Sequence, residues 1–184
     1  MNKTILNEIA RVKQLMNIKE SLGGVTFRKY NAESDFETVF NRLPEIFSKL
    51  GSAWNSEAIW SNIAPVNDEL SVSVEVDGEI AGFYFINDEP IIPGGDPEVY
   101  EKLSKLVGVE GVALGVFSEY KNLGIGKMLI EYPKTLGVDY IWGYQLKALD
   151  NINDWLKRRK IYVQTPGLYV TYQIFNENEE SISN

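Results

Sequence analysis

A chain of 184 residues is long enough to enclose one apolar core, alone or with a short appendage. It has neither cysteine nor histidine, which excludes disulfides, thiolate metal sites, a cysteine nucleophile and the commonest neutral-pH base. A formal net charge of −8 argues against duplex nucleic acid as a general partner, because that binding rests on neutralising phosphates.

Residues 3 to about 17 carry Ile5, Ile9, Val12 and Met16 at three- and four-residue spacing, with Leu6 and Leu15 widening the stripe. This spacing predicts a helix. Ser21-Leu22-Gly23-Gly24 ends it. Residues 1–22 are therefore set apart as an N-terminal helical segment or leader, either a docking element or a helix lying on its own domain. The domain itself spans 23–176. It opens with a strand from Val25 to Tyr30. Ser34 or Asp35 is positioned to cap a helix whose apolar face is Phe36, Val39, Phe40, Leu43, Phe47 and Leu50. Pro44 lacks an N–H and is expected to bend or interrupt that helix. A second short helix contains Ala58, Ile59, Trp60 and Ile63 and ends before Pro65.

The period then changes. Leu70, Val72, Val74 and Val76 alternate with Ser71, Ser73 and Glu75, which predicts a half-buried strand. Asp77-Gly78 is a hairpin turn signal, and Ile80 to Ile86 forms the return strand. A turn-rich loop from Pro90 to Pro97 leads to a helix over 98–106. Val109 to Phe117 reads as a buried strand, followed by a glycine-rich turn and a helix that begins near Gly124 and is kinked or ended by Pro133. A strand over 140–144, a helix over 150–159 and a last strand over 168–175 complete the domain, and 177–184 is an acidic tail. This order predicts an α/β domain with a mixed, mostly antiparallel central sheet flanked by helices. The hairpin at Asp77-Gly78 counts against a purely parallel dinucleotide fold.

The segment from Val116 to Ile130, VFSEYKNLGIGKMLI, carries the functional argument. A hydrophobic strand runs into a turn with Gly124 and Gly126, and a helix with Met128 follows. Glycine allows close backbone approach, and the first helical turn leaves N–H groups free for an anion. Lys121 and Lys127 add positive charge, which suits a diphosphate. The full glycine pattern of a dinucleotide site and the Gly-Lys-Ser/Thr of a triphosphate loop are both missing. A lone Gly-x-Gly is otherwise a structural turn.

This segment resembles the coenzyme A-binding motif of the GCN5-related N-acetyltransferase superfamily, Gln/Arg-x-x-Gly-x-Gly/Ala. Lys121, Asn122, Leu123, Gly124, Ile125 and Gly126 stand in that order, with Lys in place of Gln or Arg. The resemblance covers 25–175 in element order and 109–130 at residue level. It implies an acyl-CoA N-acyltransferase-like fold with acetyl-CoA as co-substrate. The backbone from Gly124 through Ile125, Gly126 and Lys127 to Met128 would hold pyrophosphate, and Leu114, Gly115 and Val116 the pantetheine arm. Glu110 matches the position of the general base in the histone-acetylating branch, where it would take a proton from a substrate ammonium. The other reading of Glu110 is a residue that caps or solvates a strand edge. Glu119 is structural or substrate-facing.

The superfamily's helix tyrosine, which protonates the departing thiolate, has no clear counterpart, because Leu156 falls at its place in one alignment. Tyr162 and Tyr120 are the candidates for that acid, and Asn151 and Asn153 for the usual helix asparagine contact with the coenzyme. Trp54 and Trp60 lie where the superfamily covers its acceptor, and either line a pocket or pack. Trp142 is assigned to packing. The acidic surface favours a cationic amine, on a small molecule or a protein. No metal, nucleic acid or membrane partner is expected.

A second resemblance concerns Met1 to Glu20, with ILNEIARVKQLM, which is similar to leader segments of tailed-bacteriophage structural proteins. Ile18, Lys19 and Glu20, followed by Ser21, resemble the Ile/Leu-x-Glu sites cut by their prohead proteases. This implies a bacteriophage protein bound to a capsid through its N-terminal helix. Two functions follow: an acetyl-CoA-dependent N-acetyltransferase, or a non-catalytic protein of the same fold that serves in a virion. The absence of a secretory pattern makes a cytoplasmic location the expectation, with virion association as its variant.

Overall fold

The computed structural model describes residues 24–48, 55–63, 66–91, 97–146, 161–165 and 168–175. The predicted N-terminal helix, the helix over 150–159 and the acidic tail lie outside the described residues, as do Trp54, Asn151 and Asn153.

The elements run β1 (Val25–Lys29), α1 (Ala32–Ile46), α2 (Ser56–Ile63), β2 (Val72–Val76), β3 (Glu79–Asn87), α3 (Pro97–Leu103), β4 (Gly108–Val116), α4 (Ile125–Glu131), β5 (Tyr140–Leu146), β6 (Ile161–Thr165) and β7 (Leu168–Ile174). Seven strands form one sheet in the order β1-β2-β3-β4-β5-β7-β6. Only β4 and β5 pair in parallel; the other five pairings are antiparallel. The sheet is mixed and mostly antiparallel, as expected.

Alternation along the strands sends side chains to two faces, and each face is covered. On one, α1 and α2 bury Val39, Leu43, Ile59 and Ile63 against Phe83, Phe85, Ala113 and Phe117. On the other, Ile125 and Leu129 of α4 pack with Val74 and Ala81. Further along, Leu103 of α3 packs with Tyr140 and Trp142 of β5 and Tyr172 of β7.

Two local expectations are corrected. The cap of α1 is Asn31, whose side-chain oxygen accepts the Glu33 N–H at 2.9 Å, and not Ser34 or Asp35. Asp35 is instead fully buried, in a bidentate pair with Arg28 at 2.7 Å. Pro44 does not interrupt α1, which runs on to Ile46. It sits in the last turn, where a missing N–H costs one bond and the buried Val39 and Leu43 hold the helix to the sheet. Strand β6 was not foreseen; it forms an antiparallel hairpin with β7.

Candidate active site

The site is built along β4. Its nine residues, GVEGVALGV, contain three glycines, and glycine inside a strand marks a bulge or a close backbone approach. Both occur here. Against β3 the register passes from Phe85↔Ala113 to Ile86↔Gly111, so Val112 is an extra, bulged residue. A Cβ on Gly111 would lie 2.4 Å from the Tyr84 hydroxyl. Against β5, β4 is paired only from Gly108 to Glu110. Just past that point a Cβ on Gly143 of β5 would sit 2.4 Å from the Gly111 carbonyl oxygen. Two glycines thus form the crotch of a fork. Beyond it β5 stays with β7 to Leu146, while the β5-facing edge of β4 has no ladder partner among the described residues.

Glu110 stands at the closed end of this fork, level with Trp142 on β5 and Asn87 on β3. It is half-buried. Burial pushes its carboxyl above the ordinary range, and the nearby charge of Glu89 adds to that push. The segment carrying Glu89 is fixed to β5 by two aromatic residues. Trp142 Nε1–H donates to the Glu89 carbonyl at 2.9 Å, and the Ile91 N–H donates to the Tyr140 hydroxyl at 3.1 Å. Two residues beyond Trp142, Tyr144 meets its ring edge-to-face at 5.4 Å and is 45% exposed.

The open end of the fork leads to the glycine turn. Phe117 is buried, Ser118–Tyr120 make a single 3-10 turn, and the chain then adopts left-handed backbone twice, at Asn122 (φ 70°) and Gly124 (φ 80°). Asn and Gly are the residues that take that conformation most readily. Lys127 and Met128 N–H donate to the Gly124 carbonyl at 3.1 and 3.2 Å. The Ile125 and Gly126 N–H groups have no backbone acceptor among the described residues. A Cβ on Gly124 would meet nothing within 4 Å, and one on Gly126 only Val116 Cγ2 at 3.8 Å, so open space lies over both. Lys121 and Lys127 are exposed there and make no ion pair among the described residues. Free N–H groups, two cations and room above the backbone fit a diphosphate.

Solved structures share this arrangement of elements. Ard1 from Thermoplasma volcanium superposes with a TM-score of 0.58 at 14% identity, over 84% of this chain and 99% of that one. The PaiA N-acetyltransferase from Thermoplasma acidophilum, in complex with coenzyme A, gives 0.56 at 16% identity, over 83% and 99%. Arabidopsis thaliana Naa50, in complex with the bisubstrate analogue CoA-Ac-MVNAL, gives 0.54 at 14% identity, over 83% and 99%. The chain has the acyl-CoA N-acyltransferase fold. No protein-family model matches the sequence, and no curated protein sequence matches it.

Within this N-acyltransferase fold the sequence-derived residues separate. Glu110 lies at the fork; Leu114, Gly115 and Val116 lie on the stretch of β4 that pairs with β3 and not with β5; Lys121 to Met128 form the turn and first helical turn. Leu123 is 42% exposed there. Glu119 is held in a clasp. Arg42 of α1 donates to both its oxygens at 2.7 and 2.6 Å, holding that carboxyl down at about 2. The same guanidinium bonds Glu45 and lies 3.8 Å over the Phe117 ring, and Glu45 accepts the Ser118 N–H. The clasp ties α1 to the chain just before the glycine turn.

Trp60 packs among Phe36, Phe40 and Phe85, with centroids 5.0 to 6.3 Å away. Tyr120 packs between the two face clusters. Tyr162 belongs to β6, three strands from β4, which puts its backbone ~14 Å away at normal strand spacing. Glu89, Gly143 and Tyr144 were not singled out from the sequence. The three glycines of β4 are a sequence feature from which the fork could be read.

Proposed function

We propose that this protein is an acetyl-CoA-dependent N-acetyltransferase that acts on a primary amine. The observation that carries the reading is the fork. β4 leaves β5 directly after Glu110 and runs, with a free edge, into a turn suited to a diphosphate. Acetyl-CoA is a long ligand with a diphosphate at one end of its arm and a thioester at the other, and the two features lie at opposite ends of one strand.

Acetyl-CoA supplies an activated acetyl group. Gly124 to Met128, with Lys121 and Lys127, would hold its pyrophosphate. The fork-facing backbone groups of the stretch Leu114, Gly115 and Val116, which pairs with β3 on its other edge, would hydrogen-bond its pantetheine arm, which also satisfies polar groups the sheet leaves open. Glu110 acts as the general base. Its raised carboxyl pKa brings it nearer to that of the amine it must deprotonate. The amine nitrogen then attacks the thioester carbonyl, the new N–C bond forms, and the C–S bond breaks. The negative charge of Glu110 and Glu89 at the fork favours an acceptor that arrives as an ammonium.

The test is a calorimetric titration with acetyl-CoA of the wild type and of Gly126→Glu. This site takes a side chain without a clash or a positive φ, and an acidic residue in a first helical turn is favourable for folding. Saturable binding lost in the variant, with an unchanged circular dichroism spectrum, is the expected result. Absence of binding to the wild type at millimolar acetyl-CoA overturns the proposal.

A further inference from the structure

We infer that Tyr144 of β5 is the proton donor to the departing thiolate, an assignment that rests on the acetyltransferase reading above. Two tyrosines suggested by the sequence are poorly placed for that task. Tyr120 is packed between two core clusters, and Tyr162 sits on β6, three strands from the fork. Tyr144 lies at the fork itself.

The parallel register puts Trp142 level with Glu110. Side chains two apart on a strand share a face, so Tyr144 lies on the Trp142 side of the sheet, and the edge-to-face contact of their rings at 5.4 Å agrees. Two residues along β5 place Tyr144 ~7 Å nearer the open end than Trp142. The order along the fork is then Glu110, Tyr144 and, past the end of β4, the glycine turn. A thioester whose diphosphate lies at the turn enters from the open end. Its carbonyl therefore reaches closer to Glu110 than its sulfur does, and the sulfur lies toward Tyr144. Base and acid follow one another in the sequence in which the reacting atoms are strung.

The proton count closes. Glu110 takes a proton from the amine, the N–C bond forms, the C–S bond breaks, and Tyr144 Oη gives its proton to sulfur. Because the acceptor arrives as an ammonium, a second proton leaves nitrogen to solvent once the N–C bond has formed. The proton on Glu110 returns through solvent to the tyrosinate, so in net one proton passes from nitrogen to sulfur and one to solvent. The ionisation of Tyr144 supports this role: burial pushes its phenol above the ordinary value, and the Glu110 carboxylate adds to the push, so the donor stays loaded. Among the described residues Glu110 is the charged group acting on Tyr144, and Glu89 the one acting on Glu110. Tyr144 as a residue is 45% exposed, so it is not shut into the core.

Tyr144→Phe keeps the ring and its contact with Trp142 and removes only the hydroxyl. Coenzyme A release is followed with a thiol reagent, to which the cysteine-free protein adds no background. The acceptors are spermidine, lysine amide and a tetrapeptide with a free α-amine. The expected result is a fall in kcat of about 100-fold, the lower end of what general acid–base catalysis contributes. KM for acetyl-CoA should stay unchanged, and the high-pH limb of the wild-type kcat profile should disappear. A variant with the wild-type kcat and the same high-pH limb overturns the role of Tyr144 and leaves the acetyltransferase reading intact. A wild type that releases no coenzyme A with any of the acceptors overturns that reading, and the role of Tyr144 with it.

Discussion

Replacing Asp35 with Asn should make the protein less stable at neutral pH and leave it little changed near pH 2. The Asp35 carboxylate is buried at the start of α1 and accepts five hydrogen bonds. Arg28 Nη1 and Nη2, Ser34 Oγ and Ser73 Oγ all donate at 2.7 Å, and the Asn31 N–H donates at 3.1 Å. Burial alone would push this carboxyl up. The bonds, that of Arg28 foremost, overcome it and hold the group at about 2 against an ordinary 3.8. That gap of about 1.8 pH units is worth ~2.4 kcal/mol at 1.36 kcal/mol per unit. Because the folded value is the lower one, the contribution is complete above pH 5. It declines as pH falls through 3.8 and is gone below 2.

Asparagine adds a second cost by turning an N–H₂ toward a guanidinium. Arg28 keeps Glu75 at 2.6 Å and is 32% exposed, so the loss belongs at the low end of the ~3–5 kcal/mol seen when a buried pair is broken from one side. Urea unfolding of both proteins at pH 7, 4 and 2.5 measures it. The reasoning fails if the difference at pH 7 is below ~1 kcal/mol, or if it stays constant as the pH falls.

Gly143→Ala puts a Cβ 2.4 Å from the Gly111 carbonyl oxygen, so the two strands must separate by about 1 Å, at a cost of about 1–3 kcal/mol. Thermal unfolding should show that loss and calorimetry a weaker affinity for acetyl-CoA; a variant unchanged in both would mean that the crotch of the fork yields freely. Glu110→Gln should lower kcat/KM by about 100-fold and remove its acidic limb, which in the wild type lies above the ordinary carboxyl value of 4.5. A carboxyl whose folded pKa is raised costs stability once the pH climbs past its unfolded value. The same variant should therefore be more stable than wild type at pH 7 and equal to it near pH 3, and urea curves that coincide at both would contradict the burial argument.

How far the sequence could be read depended on whether a feature was local. The strands around Asp77-Gly78 announced themselves by a two-residue period and a turn dipeptide, and the hairpin formed there. The glycine turn was equally plain, since its shape depends on a few neighbouring residues; even so, the motif that includes Asn122 does not announce that this residue shares the left-handed backbone with Gly124. Ser34 or Asp35 is the cap the sequence offers, because a side-chain oxygen at a helix start accepts a free N–H. The partners of Asp35 in the fold, Arg28 and Ser73, come from β1 and β2, and no local pattern names them. No local pattern marks Tyr144 either. The place proposed for it depends on the pairing of Glu110 with Trp142, which are 32 positions apart in the chain and brought together by the crossover through α4.

A strand that loses its neighbour in the middle of a sheet ought to be a defect. Each unpaired N–H and C=O there must find water or another partner, and a bulge next to it weakens the ladder on the other side as well. β4 carries both features within six residues of Glu110, and its glycines contribute little packing in return. The surroundings make up for this: Arg42 and Glu45 of α1 fasten the chain beyond β4, Trp142 and Tyr140 fasten the segment bearing Glu89, and Phe83, Phe85 and Phe117 fill the face beneath α1. A sheet under pressure only to be stable would pair β4 with β5 along its whole length and put a neutral residue at 110. Gly111 and Gly143 instead bring the two strands together at one tight point, beyond which β4 has no β5 partner among the described residues, and Glu110 leaves a carboxylate half-buried. Local features that cost stability and are braced from several sides are the mark of a site kept for its chemistry. By that criterion the fork, more than the glycine turn, is the place for the transfer proposed above.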